Sequence, residues 1–112
     1  MSRASVREAL EIVQHTGPHV TGDRIAHLRN LRSDRYRLKD DLVISISEED
    51  DGFVARSFDL GQYGCGPSTD DAIDHLCSVV EDYFDLLQEE RDGLSRQLTS
   101  HLRYLEFILE KI

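Results

Sequence analysis

The spacing of apolar positions changes period twice along the chain. Between residues 5 and 32 they recur every three or four residues: Val6, Leu10 and Val13 with Ala9 between, then Ile25, Leu28 and Leu31 among Arg24, Arg29 and Arg32. This period predicts two short helices, over 5–15 and about 22–32. Ser5 followed by Glu8 makes a capping box for the first, and Gly17-Pro18 stops it. From Tyr36 through Leu38, Leu42, Ile44 and Ile46 the even positions are mostly apolar. The odd positions Lys39, Asp41, Ser45 and Ser47 are polar, with Val43 the exception. Such alternation predicts a strand with one covered face. Glu48-Glu49-Asp50-Asp51-Gly52 then marks a tight turn, because Asp-Gly suits the positive-φ positions of a hairpin, and Phe53 to Phe58 reads as the returning strand. Glycines at 61, 64 and 66 argue for close backbone turns around a short third strand at Tyr63–Cys65.

The helical period returns after Pro67. Ser68 caps a helix with Asp71 at the reciprocal position, and the helix runs to about Glu90. Ile73, Leu76, Cys77, Val80, Phe84 and Leu87 form its apolar stripe, while Asp74, Glu81, Asp82, Asp85 and Glu89 populate the rest of its surface. Gly93 interrupts, and a last helix over about 95–110 presents Leu94, Leu98, Leu102, Leu105 and Leu109. These elements predict an α+β, two-layer fold in which a small antiparallel sheet packs on helices, with an N-terminal helical arm and a C-terminal helix. Residues 1–37 form the arm and 38–112 the folded domain. The sheet is too small to cover both helices. Leu98, Leu102, Leu105 and Leu109 are therefore expected to supply an oligomer seam, giving a dimer or a larger homo-oligomer.

Charge sharpens this division. Residues 1–39 hold eight Lys and Arg against four acids, whereas residues 40–112 hold five against eighteen. The body repels phosphates and attracts basic surfaces, and the arm either stands solvated, docks on an acidic partner or touches DNA. No apolar run approaches the roughly 20 residues that span a membrane. The N-terminus lacks a continuous apolar stretch and carries Glu8 and Glu11, so a cytoplasmic location is the expectation.

Candidate chemistry is sparse. Cys65 and Cys77 lie on different elements and form no CxxC pair, and Cys77 falls on the apolar stripe as a small buried hydrophobe. His15, His19, His27, His75 and His101 make no metal-ligand spacing, and His101 is expected as a satisfied core or interface histidine. The glycines of 61–66 lack the Gly-Lys-Ser/Thr ending of a phosphate loop, and Asp70 and Asp71 already occupy the following helix N-terminus. The turn acids Glu48 to Asp51 lack the alternating ligands of a calcium loop. No nucleophile elbow or acid–base pair is evident, so neither catalytic residues, nor a metal, nor a cofactor is expected.

One stretch has a family look. An alternating strand leads through an acidic turn to Gly52, Phe53, Val54 and Ala55. Asp59-Leu60, a Gly64-x-Gly66 step and Ser68 with Asp71-Ala72 opening an acidic helix then follow. In order and spacing, over about residues 40–90, this resembles the HicB-like antitoxin domain of type II toxin–antitoxin systems, with Phe58 and Gln62-Tyr63 standing where the family usually has proline and smaller residues. The resemblance implies a partial RNase H-like fold without that fold's catalytic acids. It also implies a protein-binding role in which the module binds and neutralises a small basic, HicA-like mRNA-cleaving toxin. Asp74, Glu81, Asp82, Asp85 and Glu89 are then the expected partner-binding face. Residues 91–112 are too few for the family's separate DNA-binding domain. Two alternatives stay open: a solitary homo-oligomeric adaptor with no toxin, and a transcriptional regulator touching DNA through residues 1–37.

Overall fold

The computed structural model describes residues 10–13 and 24–112, which form an α+β, two-layer fold. Five antiparallel strands make the main sheet in the order β1-β2-β4-β5-β6. They are β1 (Leu10–Val13), β2 (Arg24–Leu28), β4 (Leu42–Glu49), β5 (Gly52–Ser57) and β6 (Gln62–Gly66). A second, two-stranded sheet joins β3 (Tyr36–Leu38) to β7 (Leu109–Lys111). Helix α1 (Thr69–Glu89) packs on β5 and β6, and a single 3-10 turn at Arg91–Gly93 leads into α2 (Arg96–Ile108).

The described part of the expected helical arm holds strands and irregular backbone in place of helices. Leu10–Val13 pairs with β2, and β2 lies between β1 and β4 inside the sheet, so this stretch belongs to the folded unit. The misleading signal was the three-residue spacing of Ile25, Leu28 and Leu31. Ala26 and Leu28 alternate on the core face instead, opposite Ile44 and Leu42, and both are fully buried. Pairing along both edges outweighs a weak local period in so short a segment. The Ser5–Glu8 capping box and Gly17-Pro18 lie outside the described residues.

The alternation from Tyr36 to Ile46 also resolves into two strands. Lys39-Asp40-Asp41 turns the chain, so β3 joins the small sheet while β4 enters the large one. The single period survived because Tyr36 of β3 and Leu42, Ile44 and Ile46 of β4 are all buried. Ser45 and Ser47 are buried too, so the second face of β4 is not the open one that alternation predicts. In the hairpin the turn residues are Asp50-Asp51, closed by the Glu49–Gly52 pair, and Asp50 takes the positive φ of 51°. Gly52 is required for a different reason. A Cβ there would lie 2.7 Å from the Gly66 carbonyl oxygen.

Helix α1 keeps its expected cap and stripe. The Asp71 N–H donates to Ser68 Oγ, and the Ser68 hydroxyl donates to the Asp71 carboxylate. All six stripe residues of α1 are buried, with Ala72. Ser95 caps α2, which stops at Ile108 rather than continuing to 110, because Leu109 passes into β7. Leu102, Leu105 and Leu109 are each at most 3% exposed, and Leu94 and Leu98 pack partly buried against the same core. Leu102, Leu105 and Leu109 belong to the protomer's own interior, with Leu94 and Leu98 at its rim. They are not an exposed oligomer seam, because the second sheet and α1 already cover them.

Candidate functional site

The motif residues converge where β5 and β6 meet the start of α1. Ala55 sits opposite Gly64, and Phe53 opposite Gly66, so small residues line the strands under the helix. A Cβ on Gly64 would lie 2.2 Å from the Leu76 nitrogen, and one on Gly66 would lie 2.6 Å from the Asp71 Cβ. With Ala72 fully buried opposite them, the helix rests almost directly on strand backbone. Phe53 packs at the rim of the core, and Val54 falls on the opposite face of the sheet by alternation. Leu60 is buried, while the exposed Asp59 accepts a hydrogen bond from the Tyr104 hydroxyl at 3.4 Å.

This close packing brings the β4–β5 tip against the residues leading into α1, since Gly52 abuts both Gly66 and Pro67. Glu48, Glu49, Asp50 and Asp51 thereby share one end of the molecule with Asp70 and Asp71. Glu49 pairs with Arg56 at 2.7 Å and accepts from the Ser47 hydroxyl, which together hold its carboxyl below the usual glutamate range. Arg24 reaches Thr69 Oγ1 at 3.5 Å. Among the described residues, Arg24 and Arg56 stand against these six carboxylates, so this pole carries an excess of acids.

The acidic face expected along α1 is differently placed. Asp74 is bound by the Nη1 of Arg32, whose side chain is 7% exposed. Arg35 spans Glu81 and Asp85 at 2.5 and 2.7 Å, and the Tyr36 hydroxyl donates to Asp85 at 2.5 Å while its ring meets Phe84 edge-on. The basic segment therefore docks on an acidic surface of its own chain. Of the five expected partner contacts, Asp82 and Glu89 alone are exposed. Arg37 is likewise bound by Glu110, and Arg29 lies 3.7 Å from Asp41. A nucleic acid phosphate would have to displace a carboxylate at each of these arginines, which weakens the DNA reading for the described part of 1–37.

Sequence reasoning missed this clamp because Arg32 and Arg35 meet acids 42 to 50 residues away. Arg35 and Tyr36 hold the Asp85 carboxyl below its ordinary range. Stability from this group is present above the ordinary aspartate value of about 3.9 and is lost as pH falls through the lower folded value. Asp85→Asn is expected to flatten the acid limb of a stability–pH curve below about pH 4, measured by urea unfolding. An unchanged acid limb would show that the clamp holds no stability.

Other candidate groups have structural partners. Tyr83 Oη and His101 Nδ1 lie 2.6 Å apart between the helices. Cys77 is buried and its thiol is pushed up to about 12 by desolvation, whereas Cys65 is exposed. Titration of the native protein with a thiol reagent is expected to modify Cys65 rapidly and Cys77 only on unfolding; equal rates would refute that placement. Among the described residues, no three of His, Cys, Asp and Glu gather as a metal ion requires, and no helix is long and apolar enough to cross a membrane. No family model matches the chain, and neither a curated protein nor a solved structure matches it.

Proposed function

We propose that this chain is a HicB-like, antitoxin-type protein-binding module of the cytoplasm, not an enzyme, which binds and neutralises a small basic, HicA-like mRNA-cleaving protein. The observation that carries the reading is the seam at Gly52, Gly64, Gly66 and Ala72, where the residues that resemble the family are those on which the hairpin, β6 and the capped helix depend. The acidic pole beside that seam is the docking surface. It replaces the α1 face in this role, because Arg32 and Arg35 already neutralise Asp74, Glu81 and Asp85. The exposed carboxylates of Asp50 and Asp51 steer a basic partner through their charge.

Co-expression with a small basic ribonuclease-like protein encoded beside its gene tests the role. The expected results are rescue of growth and co-purification of the two chains. Reversal of the exposed tip in a D50K/D51K variant is then expected to weaken binding about tenfold or more at low salt, equivalent to about 1.4 kcal/mol. If no such neighbour is encoded and no toxicity is rescued, the antitoxin role fails. Binding that survives tip reversal and added salt would instead refute the acidic pole as the docking surface.

A further inference from the structure

Charge divides the two helices. Within α2, Arg96–Ile108, Glu106 is the one acid, and Arg91 holds it at 2.6 Å. Arg91 and the described arginines before it each hold a carboxylate or, for Arg24, a hydroxyl. Among the described arginines, Arg96 and Arg103 alone make no ion pair or hydrogen bond. They also stand together. Arg96, Thr99, Ser100 and Arg103 fall at i, i+3, i+4 and i+7, so they share one side of the helix. With Leu94 they line a cavity of about 330 Å³. That is room for a small organic molecule, and more than a phosphoryl group alone fills.

Two guanidinium charges beside one cavity repel each other, and an anion between them replaces that repulsion by two attractions. We infer that this cavity is a binding site for a small phosphomonoester. Its phosphoryl group sits between Arg96 and Arg103, whose guanidinium groups donate to its oxygens, and the Thr99 and Ser100 hydroxyls donate beside them. Leu94, partly buried against the core, gives the organic part an apolar wall. A phosphoryl group suits two arginines better than a carboxylate does, because it carries nearly two charges at neutral pH and three acceptor oxygens. A nucleic acid strand suits them less. It needs a basic track along its backbone, and the other described arginines are engaged elsewhere.

The acidity of the rest of the chain does not close the site to an anion. Helix α1 has 21 residues, so its end at Glu89 lies about 30 Å from the acidic pole at its start. At physiological ionic strength the field of exposed charges decays over about 8 Å. Glu89, Glu90 and Asp92 are nearer in sequence, but they are exposed and none of them lines the cavity. The site therefore stands apart from the docking surface proposed for a basic protein, and each can be tested without the other.

Proton–nitrogen NMR spectra of the full chain, including arginine side-chain signals, test this at about pH 7.5, where a phosphomonoester is a dianion. The probes are phenyl phosphate, inorganic phosphate, acetate and a short single-stranded RNA without a terminal phosphate, all at constant ionic strength. Phenyl phosphate is expected to shift signals of residues 94–103 saturably, with a Kd of about 1 mM or tighter. Inorganic phosphate is expected to shift the same signals more weakly, for want of the contact with Leu94, and acetate to shift none. Arg96 and Arg103 are exposed, so R96Q and R103Q are expected to fold, which circular dichroism checks. Each is expected to weaken phenyl phosphate binding about tenfold. K39Q removes the same charge from an exposed residue outside the cavity, and a change of less than about twofold is expected. Absence of a saturable shift overturns the proposal, as do shifts spread over the whole chain or an equal loss in K39Q. Equal affinity for inorganic phosphate overturns the ester and leaves free phosphate as the ligand. Tighter binding of the RNA, lost in R96Q and R103Q, overturns the small ligand.

Discussion

Among the described glycines, Gly64→Ala is expected to be the most damaging addition of a single methyl. The new Cβ would stand 2.2 Å from the Leu76 nitrogen and 2.8 Å from both the Ala72 carbonyl oxygen and the His75 carbonyl carbon. All three are main-chain atoms in the first two turns of α1, so no side chain can rotate aside. Either the helix lifts from β6 or the strand bows, and both loosen the buried stripe of Ile73, Leu76 and Val80. Overpacking in a core costs about 1–3 kcal/mol where side chains can adjust, so a cost of about 3 kcal/mol or more is expected where they cannot. For a domain of this size that is a fall in Tm of roughly 10 °C or more. Urea unfolding checks it, as a lower midpoint at unchanged slope. Gly93→Ala is the control. Nothing lies within 4 Å of its Cβ position, and a change within about 0.5 kcal/mol is expected. If the two variants unfold alike, the helix does not sit on β6 as described.

Leu102→Asp separates the two places that a leucine-rich last helix can have. On an exposed seam, the substitution would dissociate an oligomer into folded protomers. Leu102 is 2% exposed and belongs to the core that α1, α2 and the strands share. A carboxylate there loses the packing of a buried leucine, about 2–5 kcal/mol, and adds an unpaired buried charge. Against a typical stability of about 5–15 kcal/mol, the expected result is a largely unfolded chain or a steep loss of Tm, seen by circular dichroism. Phe107→Asp, on the same helix but at a residue 67% exposed, is expected to leave the fold intact and change stability by about 0.5 kcal/mol or less. A folded, monomeric Leu102→Asp protein would overturn the core assignment and restore the seam.

The elements that were legible in advance share one property, which is that their signals are local. Ser68 and Asp71 are three residues apart and cap each other, and the stripe of α1 repeats within one or two turns. The β4–β5 hairpin followed from alternation on either side of an acidic turn. The glycines of 61–66 announced close backbone contact, although not what they would touch. For Gly64 that is the main chain of α1. The failures share the opposite property. Arg24–Leu28 became a strand because β1 and β4 flank it, and Leu109–Lys111 became one because β3 lies alongside. Neither neighbour is close in sequence, and a three-residue apolar spacing in a short segment suits either conformation until one supplies its hydrogen-bonding partners.

For the candidate site the division is sharper still. The amino-acid pattern alone predicts an α+β chain with a capped, amphipathic acidic helix following a glycine-rich strand, and negative charge beyond residue 39. Local periodicity and composition are enough for that. Which carboxylates hold an arginine followed from the packing of distant segments. Arg32 and Arg35 cross to Asp74, Glu81 and Asp85, and Arg37 to Glu110 at a separation of 73 residues, so the face that looked most available is the one already neutralised. Among the described residues, Asp50 and Asp51 stand exposed at the hairpin tip, away from these arginines. The reason is physical: an ion pair depends on distance in space, and no period along a chain encodes which loop will be folded against which helix.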